Sequence, residues 1–126
     1  MLSQFKGKVL ILKFMTGWCP TCHKNMALMK RLYQTYNEKG LEILCISLDR
    51  VKSWKKRNGE KETRHLAESQ PFPFAWGDKA VYYQYGIFRS VPTLFLLDRE
   101  LKIVKQIGSD DRSFEKISAD IETLLK

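Results

Sequence analysis

Val9-Leu10-Ile11-Leu12-Lys13-Phe14-Met15-Thr16-Gly17-Trp18-Cys19-Pro20-Thr21-Cys22 orders everything around it. Its first half is an apolar run of strand length, punctuated at its start by Gly7. Such a run, without polar alternation, predicts a strand buried on both faces, as in a parallel sheet. Its second half opens a helix. Proline suits the first helical turn, where its missing N–H costs nothing. Met26, Met29, Tyr33 and Tyr36 then recur at helical spacing as one stripe, read as core rather than as a cofactor box. The helix is predicted to run from Pro20 to about Lys39, with Gly40 as its stop. Two cysteines three positions apart at a strand-to-helix junction make a redox device. A helix N-terminus offers free N–H groups and a partial positive charge. A thiol placed there loses its proton more readily, and the thiolate is the species that attacks disulfides. The second cysteine, one turn on, lies within reach of the first sulfur, so the chemistry indicated is thiol–disulfide exchange.

Outward from this stretch, Leu41 to Leu48 is a second nearly continuous apolar strand. Asp49 to Ser69 is polar and basic and predicts a helix interrupted at Gly59. Pro71 to Trp76 is too proline-rich for a helix and predicts a short extended segment. Lys79 to Tyr85 predicts a short helix ended by Gly86. Thr93–Leu97 and Leu101–Ile107 are strands joined by Asp98-Arg99-Glu100, a connection short enough to force an antiparallel hairpin. Ser109-Asp110-Asp111 is expected to cap a terminal helix from about Arg112 to Leu125, with Phe114, Ile117, Ile121 and Leu124 on one face. Strands alternating with helices, then a hairpin and a helix, predict an α/β fold: a central mixed β-sheet flanked by α-helices on both faces. The 126 residues are read as one domain, 1–126.

Composition bounds the function. Hydrophobic residues make up 44% and charged residues 29%, values of a soluble globular protein. Three cysteines are too few for a disulfide scaffold, and two of them are consumed by one CxxC. The net charge is +8, and Arg50 to His65 contributes +5 of it. A basic surface can meet nucleic acid, anionic lipid or an acidic partner. No aromatic-interleaved basic groove accompanies it, so nucleic acid is not expected and a solvated helix face is. No apolar run approaches the ~20 residues of a membrane span. Lys6, Lys8 and Lys13 interrupt the N-terminal apolar residues, which is not the pattern of a signal peptide. The expectation is therefore a cytosolic chain, or one that begins after an export signal or an upstream domain.

With these elements in place, the chain resembles the TlpA/ResA-like branch of the thioredoxin superfamily. Phe5-Lys6-Gly7-Lys8 resembles that branch's entry into the first strand. Trp18-Cys19-Pro20-Thr21-Cys22 is similar to its active-site pattern, and Ser47-Leu48-Asp49 to the end of its second strand. Val91-Pro92-Thr93, about seventy residues after the cysteines, resembles its cis-proline segment, and Gly108 closes the last hairpin. The resemblance implies a thioredoxin-like fold and a protein-disulfide oxidoreductase, most naturally a reductase. It implies Cys19 as exposed nucleophile, Cys22 as buried resolving thiol, and Pro92 as a cis-proline facing them. Trp18 would shield one side of the dithiol, and Pro20 would influence its redox balance. The backbone of Val91, with Thr93 beside it, would pair with an extended substrate segment. It implies no cofactor beyond the cysteine pair, protein thiols or disulfides as substrates, an upstream dithiol reductant as partner, and a monomer. It favours the bacterial periplasm or cell envelope, with the cytoplasm as alternative.

One position departs from the family. Where many relatives carry a buried acid or amide, six residues before the first cysteine, this chain has Lys13. Either its stem packs and its ammonium reaches water, or a cation beneath the active site favours the thiolate. Other readings of the same residues are open. Cys19-Pro20-Thr21-Cys22-His23 also spells the c-type haem attachment pattern, although it follows a strand here. Cys19, Cys22, His23 and His65 could serve a metal-binding module. Thr16-Gly17-Trp18-Cys19 contains the T-x-x-C of peroxiredoxins, but Leu12 stands where that family has proline. Cys45, mid-strand, is read as inert core.

Overall fold

Every residue of strand β1 (Val9–Met15) is buried, including Lys13. The computed structural model describes residues 2–54, 58–85 and 90–126. In it, β1 is the middle of a five-stranded sheet of order β3-β2-β1-β4-β5. It pairs in parallel with β2 (Leu41–Ser47) and antiparallel with β4 (Thr93–Leu97). The edges are β3 (Phe74–Trp76), parallel to β2, and β5 (Ile103–Ile107), antiparallel to β4. The sheet is thus mixed, as the element order required.

Alternation along β1 divides the core. Val9, Ile11 and Met15 share one cluster with Met26, Met29 and Leu32 of helix α1 (Pro20–Tyr36) and with Ile117 and Ile121 of helix α4 (Phe114–Leu125). Leu10, Leu12 and Phe14 face the other way, into a cluster with Phe5, Val51 and Tyr82, the last from the short helix α3 (Lys79–Gln84). Fully burying each such side chain is worth about 1.5–3 kcal/mol. These two clusters make a central strand that must be apolar on both faces, and Lys13 is the one exception.

Several boundaries differ from the expectations. Helix α1 ends at Tyr36, and a single 3-10 turn, Asn37–Lys39, completes the run to Gly40. Asp49 to Ser69 is not one interrupted helix: a 3-10 turn spans Lys52–Trp54, and helix α2 covers only Glu60–Ser69, with Gly59 at its N-cap. Lys55, Lys56 and Arg57 of the basic stretch, and Gly86 as a helix stop, lie outside the described residues. The hairpin loop is longer than three residues. Asp98 Oδ1 accepts the N–H groups of Glu100 (2.9 Å) and Lys102 (3.0 Å), which draws Leu101 and Lys102 out of the strand. The terminal helix begins at Phe114, and its cap is Ser113, whose Oγ accepts the Lys116 N–H (3.2 Å). Ser109–Asp111 is a separate 3-10 turn that does not cap α4.

Candidate active site at the β1–α1 junction

Strand β1 delivers the chain to Thr16-Gly17-Trp18, and Cys19 takes the N-cap position of α1. Its Sγ accepts the Cys22 N–H at 3.1 Å, so the sulfur occupies the place an oxygen usually takes at a helix start. Pro20 follows as the first helical residue. The Cys19 thiol donates to the carbonyl oxygen of Val91 at 3.6 Å. The Val91–Pro92 peptide bond is cis. Two segments far apart in sequence therefore meet at the dithiol. Val91 is half-buried, Pro92 and Thr93 are buried, and Thr93 Oγ1 donates to the Ser90 carbonyl (2.7 Å). Trp18 packs half-buried against the α1 side of the core.

All three cysteines are free thiols. Cys22 is sealed completely, as expected, but Cys19 is only 4% exposed rather than open to solvent. Its sulfur is turned inward, toward the Cys22 N–H and the Val91 carbonyl. Burial and the hydrogen bond with Cys19 push the Cys22 thiol well above its ordinary range. Burial likewise pushes Cys45 up to about 12, which suits the inert thiol expected there.

Lys13 does not reach water. The residue is 0% exposed, and Nζ donates to the Cys22 carbonyl oxygen at 2.8 Å. The snorkelling alternative fails because β1 is the central strand, flanked at this level by Cys45 of β2 and Leu94 of β4. The side chain lies on the α1 side of the sheet and ends beneath the first turn of that helix. Desolvation lowers the Lys13 pKa from the usual lysine value.

The loop carrying the cysteines is held by residues whose roles the sequence does not announce. Asp49, 1% exposed, accepts the Gly17 N–H (2.9 and 3.2 Å), the Ser47 hydroxyl (2.5 Å) and the Thr63 hydroxyl (2.5 Å). Gly17 and Gly59 pack backbone to backbone. A Cβ on Gly17 would lie 1.9 Å from the Gly59 carbonyl oxygen, and one on Gly59 would lie 2.4 Å from Asp49 Oδ1. Arg112 ties the Pro92 carbonyl (2.9 Å) to that of Ile107 (3.3 Å), which fixes the segment opposite Cys19. Of the two glycines the sequence reading picked out only Gly59, as an interruption, and it placed Arg112 at the start of a helix.

His23 is exposed on α1, and its Nε2–H donates to the Gly17 carbonyl (2.7 Å). Among the described residues, no group of three or more His, Cys, Asp or Glu side chains is disposed to hold a metal, so Cys19, Cys22, His23 and His65 do not form one site. Part of the basic stretch is neutralised locally. Arg50 pairs with Glu60 (2.9 Å) and lies over the Trp76 ring at 4.0 Å, and Arg64 reaches both. No described helix is long and apolar enough to cross a membrane.

Comparison with known proteins agrees with this geometry. The chain matches the AhpC/TSA family over residues 1–106. It is 36% identical over 115 residues to the thiol-disulfide oxidoreductase ResA of Bacillus thuringiensis, covering 86% of this chain and 60% of that protein. It is 31% identical over 123 residues to the ResA protein of Geobacillus thermodenitrificans, covering 98% of this chain and 67% of that one. The chain thus spans about two thirds or less of the length of these relatives. A crystal structure of a thioredoxin-like protein from Aeropyrum pernix superimposes with a TM-score of 0.77 over 97% of this chain and 81% of that chain, at 19% identity. That likeness shows the thioredoxin-like fold.

Proposed function

The chain belongs to the AhpC/TSA family, as a TlpA/ResA-like member of the thioredoxin superfamily, and on that premise we propose that it is a thiol–disulfide oxidoreductase acting on protein disulfides through Cys19 and Cys22. The observation that carries this reading is the placement of the Cys19 sulfur between the Cys22 N–H and the Val91 carbonyl that precedes cis-Pro92. Cys19 thiolate attacks a substrate disulfide to form a mixed disulfide. Cys22 then attacks Cys19, closes the intramolecular bond and releases the reduced substrate. Val91 offers main-chain groups to an extended substrate segment, in the manner of strand addition, with Thr93 holding the turn behind it. Trp18 and Pro20 bound the sulfurs, and Lys13, bonded to the Cys22 carbonyl, acts on the Cys22 thiol from below.

The proposed direction is reduction, with a dithiol protein upstream to regenerate the thiols, a monomer as the working form, and no cofactor. Cys22→Ser is expected to accumulate mixed disulfide with a protein substrate, and Cys19→Ser to form none. Formation of mixed disulfide by Cys19→Ser would overturn the assignment. A midpoint potential near thioredoxin's, about −270 mV, is expected for a reductase, whereas one near about −120 mV would mark a disulfide donor.

One observation favours a second reading. Thr16 Oγ1, three residues before Cys19, is buried without a hydrogen-bond partner, as a hydroxyl awaiting a small polar substrate would be. A thiol peroxidase of peroxiredoxin type would consume hydrogen peroxide stoichiometrically and form sulfenic acid on Cys19 in the Cys22→Ser variant. Failure of that variant to react with peroxide removes this reading.

A further inference from the structure

Arg112 joins the two segments that end beside the dithiol. The pairing of β4 with β5 runs as far as Leu94 and Ile107, and among the described residues it does not continue past them. The Arg112 guanidinium stands where this ladder stops. Its Nε–H donates to the Ile107 carbonyl at 3.3 Å, and an Nη2–H donates to the Pro92 carbonyl at 2.9 Å. Pro92 and Ile107 are both buried, so their carbonyls need donors, and a planar fork of N–H groups can serve two at once. Burial lowers the Arg112 pKa, with Cys22 acting against that shift, and a guanidinium stays charged all the same. Charged donors make the stronger hydrogen bonds.

The turn that carries Arg112 is itself pinned. The Asp111 N–H donates to the Gly108 carbonyl (2.9 Å). Lys116 on α4 reaches back to the Asp110 carbonyl (3.0 Å) and to the Asp111 carboxylate (3.7 Å). Arg112 is thus anchored from β5 and from α4, and the Pro92 carbonyl is what it holds. The ring of Pro92 already locks φ, so a fixed carbonyl removes the one soft backbone dihedral left to that residue. The neighbouring Val91 carbonyl is left to accept from the Cys19 thiol at 3.6 Å.

We propose that Arg112 is the positioning residue for substrate capture: by tying the Pro92 carbonyl to the end of β5, it holds the Val91 main chain where an extended segment of a protein disulfide can pair with it beside Cys19. The proposal rests on the exchange reading above and names the side chain that prepares the docking edge. Arg112 acts through Pro92 and Val91 rather than on the sulfurs. Its loss therefore falls on disulfides that bring a peptide main chain and spares those that do not.

The test uses two reagents with one leaving group in a Cys22→Ser background. One is dithiodipyridine, a small neutral disulfide. The other is an extended uncharged peptide whose central cysteine carries a thiopyridyl disulfide. In each, the Cys19 thiolate forms a mixed disulfide and expels thiopyridone, which is followed by absorbance. In Arg112→Met the half-saturating peptide concentration is expected to rise roughly tenfold, as for a lost main-chain hydrogen bond, with the limiting rate nearly kept. The dithiodipyridine rate is expected to stay unchanged. Arg112→Lys keeps the charge without the fork and is expected to recover only part of the peptide affinity. Should the methionine variant not fold, the lysine variant carries the test alone, with a partial loss for the peptide and none for dithiodipyridine. Unchanged peptide saturation, equal slowing with both reagents, or full recovery by lysine would each overturn the proposal. If the parent Cys22→Ser protein releases thiopyridone from neither reagent, the exchange reading itself fails.

Discussion

Lys13 and Asp49 are both ionisable, both shut away from water, and both bonded to the segment that carries the dithiol, yet the fold treats them in opposite ways. Asp49 is surrounded by donors: a backbone N–H from the cysteine loop, a hydroxyl from the end of β2 and a hydroxyl from α2. Its carboxylate is filled, and a filled buried acceptor behaves as a structural joint. Lys13 has a single acceptor and a cation for a neighbour. A buried charge left short of partners is costly as a charge and is free to change protonation. The difference separates a side chain that holds the site's shape from one that the fold leaves short of partners.

The comparison breaks first at Asp49. Asp49→Ala leaves three buried donors unpaired and is expected to cost about 3 kcal/mol or more in urea unfolding. A loss under about 1 kcal/mol would mean the network is not a joint. Next comes Gly17→Ala, which drives a Cβ to 1.9 Å from the Gly59 carbonyl oxygen. Backbone must move, so about 2–3 kcal/mol is expected, with slowed mixed-disulfide formation because Cys19 is displaced. Lys13→Met has the opposite sign. Replacing an uncompensated buried amine by an apolar chain of similar length is expected to stabilise the fold by about 1–2 kcal/mol at neutral pH.

The Lys13 comparison sharpens with pH. The folded-state pKa of Lys13 lies below the usual 10.5. Between the two values the unfolded chain binds a proton that the folded chain does not, so wild-type stability climbs with pH through that window. The slope due to this one group is at most about 1.4 kcal/mol per pH unit, and denaturant titrations of Lys13→Met are expected to lack it. Arg112→Ala has the smallest expected effect. It removes two hydrogen bonds to carbonyls, at about 1 kcal/mol, and takes a cation away from Lys13, so the Lys13 ε-carbon titration moves upward. A downward move would show that Arg112 does not act on Lys13 by its charge.

Local chemistry made much of the frame legible. An apolar run without alternation could only be a central strand, and β1 is one. Proline at the helix start marked the first residue of α1. An extended segment over Pro71 to Trp76 followed from prolines that exclude a helix, and its last three residues form β3. The failures sit where distant segments override local preference. Gly59 was read as a flaw within a helix, but it caps α2 because Gly17 lies against it. Arg112 has good helix propensity, yet its guanidinium is occupied by the carbonyls of Pro92 and Ile107, so α4 starts later, at its Ser113 cap. Asp49 read as the end of a strand because the partners that explain it, Gly17 and Thr63, lie 32 and 14 residues away.

The order of residues alone determined that two cysteines sit at the mouth of a strand-helix unit, since periodicity and proline placement are local properties of the chain. It also marked Lys13 as anomalous. Only the packed structure decided what that anomaly is: with β2 and β4 on either side and α1 above, no path to water is left for the amine. Solvation and hydrogen-bond partners are contributed by segments far apart in sequence, so the proton affinity of a buried group belongs to the fold.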